Sequence, residues 1–514
     1  MKKVYTVIFI LFFIGFIDSL YLTKEHFSNT LPPCTVSFLA DCGTVLRSKY
    51  ALIFGVPVAV IGVFHYGIGT LTSLFLLLKN KKLARYILVT LSYVGLAASL
   101  YFVILMLVVI KAICTYCFLS ALVSFILFYI INSTFKEERN RLFILKISFL
   151  YKNILKYLLF LFDPEKVHES MTAFGEILGK SIFVKSISKS FLVKRDSVLE
   201  QKIAGINFNS PVGLAAGFDY QAQLHQILPS IGFGFGTIGT VTNIPYKGNP
   251  SPRLGRLPRS RSLMVNKGFK TVGTNAIVKK LKSVTFEYPV GISIGRSNSS
   301  KLKTQKKSID DIVESFNIFE KANIKHSYYE LNISCPNIIH GNISFYPKEN
   351  LEKLLSAVDR LKLKRPVFVK MPIEKTDKET LQMLKVIAKH SPVGVIFGNL
   401  QKDRNHPSLD KSEVAKFETG NFSGKPTYER SNELIKLAYK HYRERFIIIG
   451  CGGVFSSRDA YEKIASGATL VQLITGMIFE GPQLPAQINY WLLDILKEKG
   501  FKNISEAVGI SVKK

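Results

Sequence analysis

The sequence predicts two folds in series: an all-α bundle of four transmembrane helices, then an α/β barrel of the (β/α)8 (TIM) type with a helical extension at its N-terminus. Three observations carry this. The 514-residue chain has a mean hydropathy of +0.20, high for a soluble protein, and the excess is concentrated in residues 1–132. Four apolar runs lie there, each close to the ~20 residues a helix needs to cross a bilayer. Beyond residue 140 the apolar runs shrink to the roughly four to eight residues of buried strands, alternating with amphipathic stretches.

The four runs are residues 4–22, 54–78, 86–110 and 113–131. Lys2 and Lys3 give the first a basic start, but no small-residue cleavage site follows it, so a retained helix is expected rather than a removed leader. Basic residues cluster at Lys2-Lys3, at Lys79, Lys81, Lys82 and Arg85, and at Lys136, Arg139 and Arg141. With four spans these clusters share one side, expected to be the cytoplasm of a multi-pass inner-membrane protein. The loop 23–53 and the turn near Lys111 then face outward, and the barrel is cytoplasmic. The expected organisation is a membrane domain over 1–135, a linker and membrane-associated extension over 136–185, and the barrel over 186–514.

A net charge of +31 calls for a partner. No nucleic-acid motif accompanies it, so nucleic acid is not the expected one. Lysines set among apolar residues, such as Lys146, Lys152 and Lys156, suit a surface lying on an anionic lipid bilayer.

Of the six cysteines, Cys34, Cys42, Cys114 and Cys117 all fall at the outward face, where disulfides form and persist. Cys114-Thr115-Tyr116-Cys117 opens the fourth span, and a helix N-terminus stabilises a thiolate, which favours disulfide exchange. Zinc sites share the C-x-x-C spacing, but no second pair and no histidine pair accompanies it, so no metal is expected. Two purely structural disulfides are the plainer alternative.

Residues 1–132 resemble the bacterial form of the vitamin K epoxide reductase family. The matching elements are Cys34 and Cys42 separated by seven residues, Asp41-Cys42 followed by Val45 and Ser48, Phe54-Gly55-Val56-Pro57, and the Cys114–Cys117 pair. The resemblance implies that Cys117 faces a quinone in the bundle, that Cys114 exchanges with the loop pair, and that Cys34 and Cys42 shuttle oxidising equivalents to a separate periplasmic thioredoxin-fold thiol oxidase.

In the second half, expected strands are residues 212–216, 235–239, 290–294, 329–333, 367–370, 394–397, 446–450 and 470–474. Chemistry in a (β/α)8 barrel gathers at the C-terminal strand ends. The chemistry-bearing residues fall there: Ala216-Gly217, Thr240, Ser293, the run Asn332-Ile333-Ser334-Cys335-Pro336-Asn337, Lys370, Asn399, Gly452-Gly453 and Thr475-Gly476. The amide side chains suit the edge of a planar heterocycle, and the thiol between them is a candidate base or nucleophile. Glycine loops at Ser423-Gly424, Gly450–Gly453 and Thr475-Gly476 suit a phosphate, since bare backbone lets N–H groups approach its oxygens. Lys370 would then offer a cation beside a flavin ring.

Residues 150–505 resemble dihydroorotate dehydrogenase, in particular its quinone-dependent class 2. The motifs are Asp163-Pro164-Glu165 with His168-Glu169, the run from Pro211 to Asp219, Ile238-Gly239-Thr240-Val241-Thr242, Pro252-Arg253-Leu254, the Asn332–Asn337 run, and Leu470-Val471-Gln472 ahead of Gly481-Pro482. The resemblance implies FMN held by Ala216, Gly217, Thr240, Asn332, Lys370, Gly424, Gly452, Gly453, Thr475 and Gly476. It implies substrate contacts from Asn266, Gly268, Phe269, Asn332, Asn337 and Asn399, Cys335 as base, and a quinone tunnel in the extension, which the apolar residues 144–162 fit.

Several positions depart from that family. Its lysine after Gly-Leu-Asp is Tyr220 here, an asparagine is Ser293, a threonine is Gly398 and a tyrosine is Ile474. Its substrate loop reads Val265-Asn266-Lys267-Gly268-Phe269, with the asparagine displaced or lost and Lys267 a candidate replacement for the missing cation. Cys335 stands where class 2 members carry serine. The leading expectation is a bifunctional oxidoreductase passing electrons from dihydroorotate and from thiols to the quinone pool. The alternatives are a membrane part that is only an anchor, or a barrel that is an FMN oxidoreductase for another substrate.

Overall fold

The computed structural model describes residues 1–28, 34, 41–340 and 343–512. They form two compact units, Met1–Phe143 and Ile144–Lys514.

The first unit is built from α1 (Lys2–Ser28), α2 (Val58–Lys79), α3 (Lys82–Ile104, continued by Leu105–Ile110) and α4 (Thr115–Thr134). All four are long and apolar enough to cross a membrane, so this is a multi-pass membrane protein. Side chains such as Phe13, Ile17, Leu71, Val94 and Leu107 point outward and are exposed, as a lipid-facing surface requires. Between apolar helices lipid supplies no hydrophobic drive, so close approach through small residues does the packing. A Cβ on Gly15 would fall 2.5 Å from the Tyr66 ring, and one on Gly69 would fall 2.1 Å from that of Phe12. These two glycines let α1 and α2 interlock.

The second unit is a closed barrel of eight parallel strands: β1 (Val212–Asp219), β2 (Phe235–Val241), β3 (Val290–Gly295), β4 (Tyr328–Asn332), β5 (Val367–Met371), β6 (Gly394–Phe397), β7 (Ile447–Cys451) and β8 (Leu470–Leu473). All eight expected strands form, in sequence order around the barrel, with ends shifted by a few residues. The register sets Asn332 beside Lys370 on one side and Gly295 on the other, which brings an amide and a cation to the same level at the C-terminal rim. A hairpin of Gln201–Ile203 and Ile206–Phe208 plugs the opposite end, with Ile203 and Phe208 against Phe235, Tyr328 and Phe368. Over the C-terminal end lies an antiparallel sheet of Leu254–Leu257, Ser262–Val265 and Asn421–Gly424.

Ahead of the barrel, residues 144–160 are helical, followed by α5 (Pro164–Lys180) and α6 (Ile182–Leu192). Local chemistry explains the Asp-Pro-Glu motif. Asp163 caps α5 by accepting from the backbone N–H of Glu165 (3.0 Å) and Lys166 (2.9 Å), and Pro164 fills the first turn, where no N–H is needed. Glu165 pairs with Arg253 (2.7 Å) and Lys270 (2.9 Å), which ties α5 to the segment following β2.

Candidate active sites

The cavity of the second unit, about 600 Å³, runs from α5, α6 and residues 147–160 to the C-terminal ends of the barrel strands. Ala216, Gly217, Thr240, Asn332, Lys370 and Thr475 line it, and so do Gly268, Phe269, Cys335, Asn337 and Asn399. Of the expected contacts, Gly424, Gly452, Gly453 and Gly476 stand behind this wall in packed loops. A Cβ on Gly453, whose φ is +70°, would fall 2.5 Å from Tyr428 Cβ, and one on Gly476 would fall 1.9 Å from the Val454 carbonyl oxygen. Ser423 Oγ and Thr475 Oγ1 are hydrogen-bonded at 2.8 Å. The three glycine loops therefore converge on one place.

Asn332 is fixed from both ends of its amide. Its Nδ2 donates to Thr240 Oγ1 (2.9 Å) and its Oδ1 accepts from the Ser334 N–H (3.2 Å), while Thr240 Oγ1 bonds to Ser293 Oγ (2.9 Å). Asn399 donates to the Ser334 carbonyl (2.9 Å). Asn337 donates to the Val265 carbonyl (3.0 Å) and accepts from Asn421 (2.6 Å).

Asn266 stands apart from the other expected substrate contacts. It does not line the cavity: Nδ2 donates to Thr419 and Oδ1 accepts from Asn249. Side chains alternate along an extended segment, so Leu263, Val265 and Lys267 face the cavity and Asn266 faces away.

Lys370 is 5 % exposed and makes no hydrogen bond or ion pair to a described residue. An isolated buried cation is costly unless something anionic meets it. Gly217, at φ +113°, presents bare backbone to the cavity: an added Cβ would meet only Ile474, at 3.7 Å. A lone cation, an open glycine strap and convergent glycine loops together fit the ring and phosphate of FMN.

Burial pushes the Cys335 thiol up to about 11, with Lys370 opposing the shift. Lys267 Nζ lies 3.2 Å from His168 Nδ1 and 3.5 Å from the Tyr220 hydroxyl, above whose ring it sits at 4.5 Å. Burial lowers Lys267 to about 8 and His168 to about 3. Among the described residues, Arg256, Lys267, Lys270 and Lys370 line this cavity and no aspartate or glutamate does. The sequence had offered His168 only as part of a motif. Its place beside a lysine about 100 residues away has no sequence signal.

In the first unit Cys34 and Cys42 form a disulfide with Cα atoms 5.7 Å apart, and Cys114 and Cys117 are free. The sulfurs of Cys34, Cys42 and Cys114 lie within 4.8 Å of one another, close enough for exchange. The same trio has the spacing of a metal site, but a disulfide offers no thiolate. Cys114 caps α4: its sulfur accepts from the Cys117 N–H at 3.3 Å. Cys117, unlike Cys114, lines a cavity of about 210 Å³ inside the bundle. Most of the expected outer loop, residues 29–33 and 35–40, lies outside the described residues.

Residues 198–496 match the family model described as Dihydroorotate dehydrogenase, and residues 6–131 match that of the Vitamin K epoxide reductase family. Relatives named "Dihydroorotate dehydrogenase (quinone)" include one from Trichodesmium erythraeum (strain IMS101), 35% identical over 369 residues, which span 68% of this chain and 95% of that protein. Another, from Christiangramia forsetii, is 36% identical over 355 residues, 67% of this chain and 99% of its own length. Among solved structures, a ligand-free DHODH from Eimeria tenella superposes with a TM-score of 0.60 at 27% identity, covering 68% of this chain and 100% of that one. The same enzyme in complex with ferulenol gives 0.59 at 26% identity, covering 68% and 96%.

Proposed function

The chain belongs to the dihydroorotate dehydrogenase family and carries a vitamin K epoxide reductase family domain ahead of it, and from that premise we propose a bifunctional oxidoreductase of the inner membrane. The barrel oxidises dihydroorotate to orotate with quinone as acceptor. The bundle oxidises thiols and passes their electrons to the same quinone pool. The barrel faces the cytoplasm and the cysteine loop faces outward, where a thioredoxin-fold thiol oxidase is its partner.

The observation that carries the barrel reading is the single cavity that joins Asn332, Cys335 and Lys370 to the apolar surface of α5 and α6. FMN, when bound, supplies a hydride acceptor that quinone reoxidises. Residues of this chain do the rest. Asn332, Asn337 and Asn399 hold a heterocyclic substrate by its amide edges, and Cys335 removes the proton from C5. Lys370 balances negative charge on the bound groups. Because burial raises Cys335, the thiol must give up its proton to enter the cycle, and nearby Lys370 and Lys402 favour that loss.

One observation favours a second substrate. Tyr220, Ser293, Val265 and Gly398 replace a cation and several polar contacts, and Lys267 enters the same wall. A related acid of different shape fits that change. The deciding experiment is anaerobic mixing of purified protein with dihydroorotate while the flavin absorbance is followed. Bleaching supports the reading, whereas bound FMN that stays oxidised rules dihydroorotate out and leaves the family assignment untouched. Thiol oxidation retained after deletion of residues 144–514 separates an active bundle from a mere anchor.

A further inference from the structure

Asp18 lies inside α1 and is 7 % exposed. Its Oδ2 is buried with no hydrogen-bond partner among the described residues. It lines the same cavity as Cys117, walled mainly by apolar side chains such as Leu22, Val45, Phe102 and Met106. A carboxyl group in a membrane helix is costly and is retained where it has work to do. The polar groups sharing the cavity, among them His65, Tyr66 and Ser124, do not satisfy it: Tyr66 spends its hydroxyl on Ser120 and Ser124 at 2.7–2.9 Å.

Thiol oxidation by a quinone needs a proton path at this spot. Cys114 has the α4 N-terminus to hold a thiolate. Cys117 sits within the bundle and must lose its proton into an apolar cavity, while the quinone must gain two. We propose that Asp18 is the proton-transfer residue of the bundle, its carboxyl group accepting the Cys117 proton and delivering a proton to the quinone oxygen. This rests on the thiol-oxidising reading given above. The reaction balances: Cys114 and Cys117 each lose hydrogen, a sulfur–sulfur bond forms between them, and the two electrons and two protons released convert the quinone to the quinol. Asp18 ends as it began.

The test uses the full chain in detergent, with dithiothreitol as thiol donor, a short-chain benzoquinone as acceptor and Cys117→Ala as blank. Asp18→Asn keeps size and hydrogen bonding but cannot relay a proton. It should lower kcat by roughly 100-fold, the scale of general acid–base catalysis, with the quinone KM within about threefold of wild type. Asp18→Glu should recover a large part of the rate. Equal kcat in wild type and Asp18→Asn would overturn the proposal. Inactive wild type would instead count against the thiol-oxidising reading. In that case infrared difference spectra on quinone binding decide for Asp18: a protonated-carboxyl band that shifts in wild type and is missing in Asp18→Asn supports a contact with the quinone, and its absence from wild type overturns it.

Discussion

Lys267 Nζ lies 3.2 Å from His168 Nδ1, and Nε2 of the same imidazole lies 2.9 Å from the Phe218 carbonyl oxygen. Together the two contacts assign the ring. Nε2 carries the proton and donates to Phe218, so Nδ1 accepts from Lys267. Burial holds His168 at about 3, so the ring stays neutral at any working pH. Among the described residues Lys267 therefore hydrogen-bonds only to neutral groups, and Glu165 and Glu169, which act on it as nearby charges, leave its Nζ without a direct ion pair and open to an anionic ligand.

Lys267 should govern affinity for such a ligand and should cost the empty protein stability. Its proton is lost near pH 8 in the folded chain against 10.5 in the unfolded one. Between those values the unfolded state binds more protons, so stability rises with pH across that window. Lys267→Met should remove that rise and, at pH 7, stabilise the protein by on the order of 3 kcal/mol, read as a higher thermal midpoint. The same variant should raise the substrate KM about tenfold with FMN content unchanged, whereas Lys267→Arg keeps binding above pH 8. A thermal midpoint that is unchanged at pH 7 and equally pH-dependent in both proteins would refute the assignment.

Cys335 should make the reductive half-reaction depend on pH with a definite sign. Its thiol is raised from 9.0 to about 11, so the thiolate is scarce at pH 7 and grows as pH rises. Flavin reduction in stopped flow should accelerate steadily from pH 7 to pH 10. Cys335→Ala should lower it by about 10²-fold or more and abolish the slope. Cys335→Ser should slow it while FMN stays bound. A flat profile in the wild-type protein would remove Cys335 as the base.

Where sequence patterns are local, they were sufficient. Short apolar runs between amphipathic stretches located all eight strands, since each is buried along nearly all of its length. The Asp163 cap and the four spans are local in the same sense. What stayed illegible depends on direction and distance. Asn266 and Lys267 are neighbours, and only the pleat decides that the lysine faces the cavity. Asp18 did leave a trace, a carboxylate in an apolar span, but its orphaned oxygen beside Cys117 requires the packed bundle. The environment that raises Cys335 likewise arises from enclosure, which no motif encodes.

Inside the barrel, Glu330 should prove a stability determinant rather than a chemical one. It is fully buried, and its Oε1 accepts from Thr237 Oγ1 and from Gln472 Nε2, both at 2.7 Å. Gln472→Leu leaves a buried carboxyl group short of a donor, at a cost of about 3 kcal/mol. Thr237→Val should cost less alone, and the double variant should depart from additivity because both donors serve one oxygen. Urea unfolding of the barrel in the full chain, followed by flavin release, measures all three. Additive losses would mean the two contacts are independent.

The sulfur cluster of the first unit predicts a trapped intermediate. Cys114 lies within 4.8 Å of both loop sulfurs, while Cys117 lines the cavity inside the bundle. Exchange must therefore pass through a bond between Cys114 and one loop cysteine, which Cys117 resolves by attacking Cys114. Cys117→Ser cannot resolve it. After oxidation the variant should hold a mixed disulfide between Cys114 and either Cys34 or Cys42, with the other loop thiol alkylatable, and peptide mapping under non-reducing conditions identifies the pair. Cys114→Ser should show only the Cys34–Cys42 bond and should leave quinone reduction by thiols at background. A Cys117→Ser protein that retains only the loop disulfide, with Cys114 fully alkylatable, would mean that the cysteines here are structural.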